Sequence, residues 1–164
     1  MNYHNITHDD MNNGDGLRVV LWCSGCSLHC KNCQNPQTWN ATSGILFDEE
    51  AKKEIFEQLS ESYISGITYS GGHPLEHYNI ETVTKLAKNI KEIFPNKTQW
   101  LYTGFLWEDV KDLEIMQYLD VLIDGQYIDS QKDLTLKWRG SSNQRVIDVQ
   151  RSLKENNIVL LTKD

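Results

Sequence analysis

Proline is scarce in this sequence, three residues in 164, and no low-complexity or Pro/Gly-rich linker interrupts it. Basic residues are the minority. Sixteen Lys and Arg stand against 23 Asp and Glu, a net charge of −7. That balance argues against nucleic-acid binding, because neutralising phosphates needs a surplus of Lys and Arg on at least one face. No apolar run approaches the ~20 residues that span a bilayer, so no membrane partner is expected. The opening stretch MNYHNITHDD has no basic-then-apolar signal, and a cytoplasmic location is expected. Cysteine is missing from residues 1–22 and again from 34–164. A secreted disulfide scaffold spreads its cysteines to staple distant loops, so structural disulfides are not expected.

What is present is sufficient for one core. Hydrophobic residues make up 39% and aromatics 10%, which excludes a disordered chain, and the length suits a single domain over 1–164. Apolar residues recur at helical spacing at Ala51, Ile55, Leu59 and Tyr63, after an N-cap candidate at Asp48. They recur again at Ile80, Val83, Ala87, Ile90 and Phe94, stopping before Pro95. A third helix is expected over Trp107–Leu119, with Val110, Leu113 and Met116 inward. Strands are expected at Arg18–Trp22, Gly66–Ser70, Gln99–Thr103, Val121–Asp124 and Ile158–Leu161. Alternating strands and helices imply a parallel sheet with outer helices. A closed eight-stranded barrel needs ~250 residues, so this length allows only an open partial (β/α) barrel.

The four cysteines lie in one run, Cys23-Ser-Gly-Cys26-Ser-Leu-His-Cys30-Lys-Asn-Cys33. Structural zinc usually takes two knuckles a dozen or more residues apart, and here three residues separate the two C-x-x-C pairs, a cramped arrangement. A thiol-exchange protein uses one such pair. Thiolates at two- and three-residue gaps suit an iron–sulfur cubane better. The order x2, x3, x2, with Gln34 after the last cysteine, is not that of a ferredoxin.

Cys26-x3-Cys30-x2-Cys33 has the spacing of the radical S-adenosylmethionine enzymes. Further stretches follow in order along the chain: Asn13–Arg18, Gln34–Trp39, Ser70-Gly-Gly-His-Pro-Leu75, Val121-Leu-Ile-Asp-Gly125 and Trp138–Arg145. Together they resemble the activating proteins of anaerobic (class III) ribonucleotide reductase. The resemblance implies an open α/β barrel of the radical S-adenosylmethionine type, with a [4Fe–4S] cluster held by Cys26, Cys30 and Cys33 and one iron left open. It implies that S-adenosylmethionine chelates that iron and is cleaved reductively, so that a glycyl radical forms on the reductase large subunit. Asn32, Cys33, Gln34, Gly71, Gly72 and Asp124 are the implied cofactor contacts. The electron is expected from a flavodoxin or ferredoxin-type reductant. An activase of the pyruvate formate-lyase type and a non-catalytic zinc-binding module are the rival functions.

Several residues depart from that pattern or have a plainer reading. Cys23 follows the apolar run Arg18–Trp22 and reads as a small buried hydrophobe ending a strand. His29 reads as a loop residue and not a ligand. His73 stands where relatives usually carry Asp or Glu, and Gln126 where they carry Lys, so the Gly71–Gly72 backbone is favoured over the His73 side chain. Arg18, Arg139 and Arg145 are candidates to pair with carboxylates of the cofactor or the partner.

Overall fold

The structure is a computed structural model and describes residues 1–161. Within these, seven strands form one sheet: β1 (Asn2–Asp10), β2 (Leu17–Cys23), β3 (Ile45–Leu46), β4 (Ile64–Gly71), β5 (Thr98–Tyr102), β6 (Val121–Asp124) and β7 (Arg145–Asp148). Their order is β3-β1-β2-β4-β5-β6-β7. The four central strands β2, β4, β5 and β6 run parallel. β1, β3 and β7 are antiparallel to their neighbours.

The expected open partial (β/α) barrel of parallel strands is therefore not what forms. The sheet is mixed and unclosed, with antiparallel pairing at both ends. The reason lies in the connections. Parallel neighbours need a crossover, and a full helix supplies it twice: α1 (Glu49–Leu59) leads into β4, and α2 (Ile80–Ile93) joins β4 to β5. Between β5 and β6 stand only the four-residue α3 (Trp107–Val110) and a 3-10 turn at Glu114–Gln117. β7 then returns antiparallel beside β6, and α4 (Val149–Glu155) follows it.

Both long helices form as their apolar spacing predicts. The Asp48 carboxylate accepts the Ala51 amide at 3.0 Å, an N-cap worth about 1 kcal/mol. Ala51, Ile55 and Leu59 are buried, and so are Val83, Leu86, Ala87 and Ile90 of α2. They cover one face of the sheet, made by Val19, Leu21, Cys23, Ile67, Tyr69, Leu101, Leu122 and Ile147. Strand alternation sends Trp100, Val121, Ile123 and Val146 to the other face, where Tyr102 and Trp138 pack on them.

Two expected elements differ. The helix over Trp107–Leu119 is broken, because Leu113 is extended (φ −71°, ψ 142°). Val110 and Met116 are buried as expected and Leu113 packs half-buried against the core, while the break also brings Ile115 and Leu119 inward. Ile158–Leu161 does not form a strand; Leu160 makes an isolated bridge to Ile147. Among the described residues no helix is long and apolar enough to cross a membrane.

Candidate functional site

The chemistry-bearing residues gather where the parallel strands end. β2 ends at Cys23 and β4 at Gly71; Thr103 follows β5 and Asp124 closes β6. In open α/β sheets this carboxyl edge is where ligands bind. An open cleft of about 880 Å³ lies at the opposite end. It is lined by strand-start residues such as Ile64, Thr98 and Val121 and is remote from the cysteines.

Cys23 is the last residue of β2 and is fully buried in the helix-covered core. Burial pushes its thiol up to about 12. The chain then leaves the sheet, and Cys26, Cys30 and Cys33 are half-buried on one loop. All four cysteines are free thiols. The loop folds back on residues 38 and 39: the Gly25 amide donates to the Thr38 carbonyl (2.6 Å) and the Cys26 amide to that of Trp39 (3.1 Å). Positive φ at Gly25, His29 and Asn32 curls it. His29 stacks on Trp39 with centroids 4.4 Å apart.

Amides point at two of the thiols. Those of Leu28 and His29 reach Cys26, and that of Asn35 donates to Cys33 Sγ at 3.4 Å. Such donors favour the charged thiolate. For Cys26 burial outweighs them in the metal-free protein and raises the thiol above its ordinary value. Among the described residues, no three His, Cys, Asp or Glu side chains converge on a point where one metal ion would be held. A cubane binds its thiolates at separate irons, and three thiols spaced along one amide-rich loop fit it.

The glycine turn abuts this loop. The Gly72 amide donates to the Cys23 carbonyl and the His73 amide to that of Gly25, both at 2.7 Å. Gly71 has φ +96°, and a Cβ there would stand 2.6 Å from the Cys23 nitrogen. A Cβ on Gly72 would stand 2.5 Å from the Gly25 oxygen. Two glycines are required because two backbones touch here.

His73 is 1% exposed. Its Nε2 lies 2.7 Å from Thr103 Oγ1 and its Nδ1 3.3 Å from Glu76 Oε1. The Phe105 amide donates to Thr103 Oγ1, which leaves the threonine hydroxyl proton for Nε2 and puts the imidazole proton on Nδ1, toward Glu76. Burial lowers the His73 pKa, so the ring is neutral at pH 7. Glu76 Oε1 also accepts the amide (2.8 Å) and hydroxyl (2.6 Å) of Ser27. Burial alone would raise this carboxyl, but the bonds from Ser27 and His73 together hold it below its ordinary value. Asn79 Nδ2 donates to the carbonyls of Ser24 (2.9 Å) and His73 (3.1 Å). The sequence singled out His73 only as a departure and passed over Glu76, Asn79 and Thr103. The one available signal was a polar cluster, His73, Glu76 and Asn79, spaced by three residues in the turn entering a helix.

The remaining expected contacts are placed as follows. Asn32 is exposed, and its Nδ2 donates to Asp129 Oδ2 at 2.8 Å, linking the cysteine loop to the segment after β6; Gln34 is exposed beside Cys33. Asp124 is fully buried. Its Oδ2 accepts the Trp107 amide (2.8 Å), and both its oxygens face the Arg145 guanidinium. Three of about four acceptor positions on this carboxylate are thereby filled. Arg145 also reaches Glu108 at 2.9 Å. Arg18, expected to meet a cofactor or partner carboxylate, is instead fully buried. It bonds Thr68, Thr98, Asp15 and Ile67 within the sheet, because a buried guanidinium needs all its donors satisfied. Arg145 likewise pairs within the chain. In the Trp138–Arg145 segment, the Trp138 carbonyl accepts the Tyr102 hydroxyl, and Gln144 Oε1 gathers the amides of Gly140 and Ser141.

Comparison with known proteins agrees with the cysteine loop. A family model described as a 4Fe-4S single cluster domain matches residues 12–147. The chain is 47% identical over 148 residues to the anaerobic ribonucleoside-triphosphate reductase-activating protein of Enterobacteria phage T4, covering 89% of this chain and 93% of that protein. The protein of the same name from Haemophilus influenzae is 39% identical over 88% of this chain and 96% of its own length. That from Escherichia coli K12 is 37% identical over 89% and 97%. With these relatives and the cluster-domain match spanning most of its length, the chain belongs to the family of anaerobic ribonucleoside-triphosphate reductase-activating proteins.

Proposed function

We propose that this protein activates an anaerobic ribonucleotide reductase as a radical S-adenosylmethionine enzyme, with Cys26, Cys30 and Cys33 holding a [4Fe–4S] cluster. The observation that carries the reading is the division of the four thiols: three are half-buried on one loop beside the glycine turn, and the fourth is sealed in the core. Three thiolates leave one iron of a four-iron cube open to a small ligand. When bound, the reduced cluster supplies the electron for reductive cleavage of S-adenosylmethionine, whose product takes a hydrogen atom from a glycine of the reductase large subunit.

The chain's own residues bind and orient. Gly71 and Gly72 bring the end of β4 against Cys23–Gly25, and this turn would be the part of the chain offered to a ligand of the open iron. The amides of Gly72 and His73 are already engaged by the Cys23 and Gly25 carbonyls, so a ligand ammonium group, which donates, would have to be met by other backbone carbonyls of the turn. Asn32 and Gln34 flank Cys33 and are exposed, and they would be the side chains on this side of the loop to meet the nucleoside of the cofactor. Asp124 acts from beneath: fully buried, it joins the Arg145 guanidinium and the Trp107 amide to fix the end of β6, where the cofactor would rest. Because Cys26, Cys30 and Cys33 are only half-buried, the cluster they would hold would lie within reach of an electron from a docked flavodoxin or ferredoxin-type reductant.

The test is direct. Anaerobically reconstituted, reduced protein is mixed with S-adenosylmethionine and the reductase, and electron paramagnetic resonance should show a glycyl radical. Cofactor cleavage without that radical would remove the reductase as substrate. A colourless protein carrying about one zinc and cleaving nothing would remove the enzyme.

A further inference from the structure

We propose that Glu76 is a positioning residue for the cluster: its carboxylate fixes the backbone between Cys26 and Cys30 and lays a permanent negative charge beside the cluster, which lowers the reduction potential. This rests on the reading of Cys26, Cys30 and Cys33 as cluster ligands.

The geometry is specific. The turn between β4 and α2 grips the start of the cysteine loop at three places. Asn79 holds the Ser24 carbonyl, the His73 amide holds the Gly25 carbonyl, and Glu76 Oε1 holds both the amide and the hydroxyl of Ser27. Cys26 lies between the second and third of these. The later part of the loop is tied to the rest of the fold by the exposed Asn32–Asp129 bond and the His29–Trp39 stack, and within itself by the Cys33 amide on the Cys30 carbonyl and the Asn35 amide on Cys33 Sγ. Cys26 is thus the ligand flanked on both sides by residues bonded to the turn between β4 and α2.

The choice of a carboxylate is the informative part. An amide or hydroxyl oxygen would accept the Ser27 donors equally well, and burying a charge is costly. Glu76 is 7% exposed, and the side chain facing it is the neutral His73, held from behind by Thr103. Among the described residues the groups bonded to this oxygen donate hydrogen bonds and carry no cation, so its charge is not cancelled by an ion pair. Net charge and hydrogen bonding near a cluster set its potential, and a nearby anion disfavours the more negative, reduced form.

The experiment compares reconstituted wild type with Glu76→Gln, Glu76→Asp and the exposed control Glu81→Gln, by redox titration monitored by electron paramagnetic resonance. Glu76→Gln keeps an oxygen for Ser27 and removes the charge. It should load iron as wild type does and shift the reduced-to-oxidised ratio at fixed potential about tenfold toward reduced, or about 59 mV for one electron. Glu76→Asp restores the charge and should return the ratio to within about threefold of wild type, and Glu81→Gln should leave it unchanged. An intact cluster in Glu76→Gln with a ratio within about twofold of wild type would overturn the proposal. If wild type itself takes up no cluster, the ligand reading falls, and this inference falls with it.

Discussion

The amide of Gly72 donates to the carbonyl of Cys23 across 2.7 Å, so the glycine turn after β4 is bonded to the residue from which the cysteine loop departs. No side chain fits between them. A Cβ on Gly72 would meet the Gly25 oxygen at 2.5 Å, and one on Gly71 would meet the Cys23 nitrogen at 2.6 Å. Gly125, at the end of β6, shares the positive φ of Gly71, but a Cβ there would find nothing nearer than 3.6 Å.

Alanine substitution should therefore rank these glycines. Gly125→Ala carries only the backbone strain, about 1 kcal/mol. Gly72→Ala carries the clash, about 1–3 kcal/mol, and Gly71→Ala carries both. Urea unfolding of the metal-free chain reads the order, and iron uptake should drop with Gly71→Ala and Gly72→Ala only. Equal losses at Gly72 and Gly125 would show that the close approach is not what the turn is for.

Cys23 and the other three cysteines should separate chemically. Thiolate is the reactive form, and the Cys23 thiol is buried and pushed up to about 12. Iodoacetamide at pH 8 should modify Cys26, Cys30 and Cys33 in the folded metal-free protein and reach Cys23 only after unfolding, as peptide mass spectrometry would show. The same group gives a stability signature. In the unfolded chain the thiol ionises near its ordinary value of 9.0, while in the fold it stays protonated until about 12. The folded state therefore holds the extra proton between these values. Its stability falls as pH rises through that window, by up to about 1.4 kcal/mol per unit. Cys23→Ala should remove this part of the alkaline slope.

Much of this was legible before any coordinates, for a physical reason. The cysteines are neighbours in sequence, and α1 and α2 announce themselves by apolar spacing against a sheet face. What stayed hidden had no such period. In β1 the buried residues are Tyr3 and Ile6, three apart, because the register shifts between Tyr3 and Asn5 and puts both on the same face, opposite Cys23 and Leu21. A strand with a bulge loses its alternation, so the polar N-terminal stretch gave no sign of the antiparallel edge that opens the sheet. β7 is four residues long and follows a polar loop. The grip on the cysteine loop joins Ser27 to Glu76, 49 residues away, and His73 to Thr103, 30 away. Each of those residue types is ordinary on its own, and only the fold brings them together.

Asp124 and Arg145 form a pair whose two halves are unequally placed. The carboxylate is fully buried, while the guanidinium is 29% exposed and also holds Glu108. Arg145→Met leaves Asp124 with the Trp107 amide alone, and a buried charge that loses its partner costs about 3–5 kcal/mol. Glu108→Gln, at the exposed end, should cost about 1 kcal/mol or less. The double variant Asp124→Asn/Arg145→Met should recover at least half of the single loss, because no unpaired charge remains. Denaturant midpoints of the three proteins decide the matter. A harmless Arg145→Met would mean that Asp124 finds other compensation.

His73 supplies the acid counterpart of the Cys23 slope. Burial lowers its pKa in the fold, and the Glu76 contact that opposes this does not restore it. As pH falls through about 6.5, the unfolded chain takes up a proton at His73 before the folded chain does. The unfolded state then binds more protons, so stability rises with pH across this window and is lost on acidification. Glu76, also held below its ordinary value, adds a loss of the same sign at lower pH. His73→Gln keeps an oxygen for the Thr103 hydroxyl and cannot be protonated, so it should flatten the slope between about pH 6.5 and 5.5 while leaving the lower limb in place. Chemical denaturation of metal-free wild type and variant at pH 7.5, 6.5 and 5.5 measures it. A wild-type slope that His73→Gln leaves unchanged would place the proton elsewhere and make His73 a packing residue only.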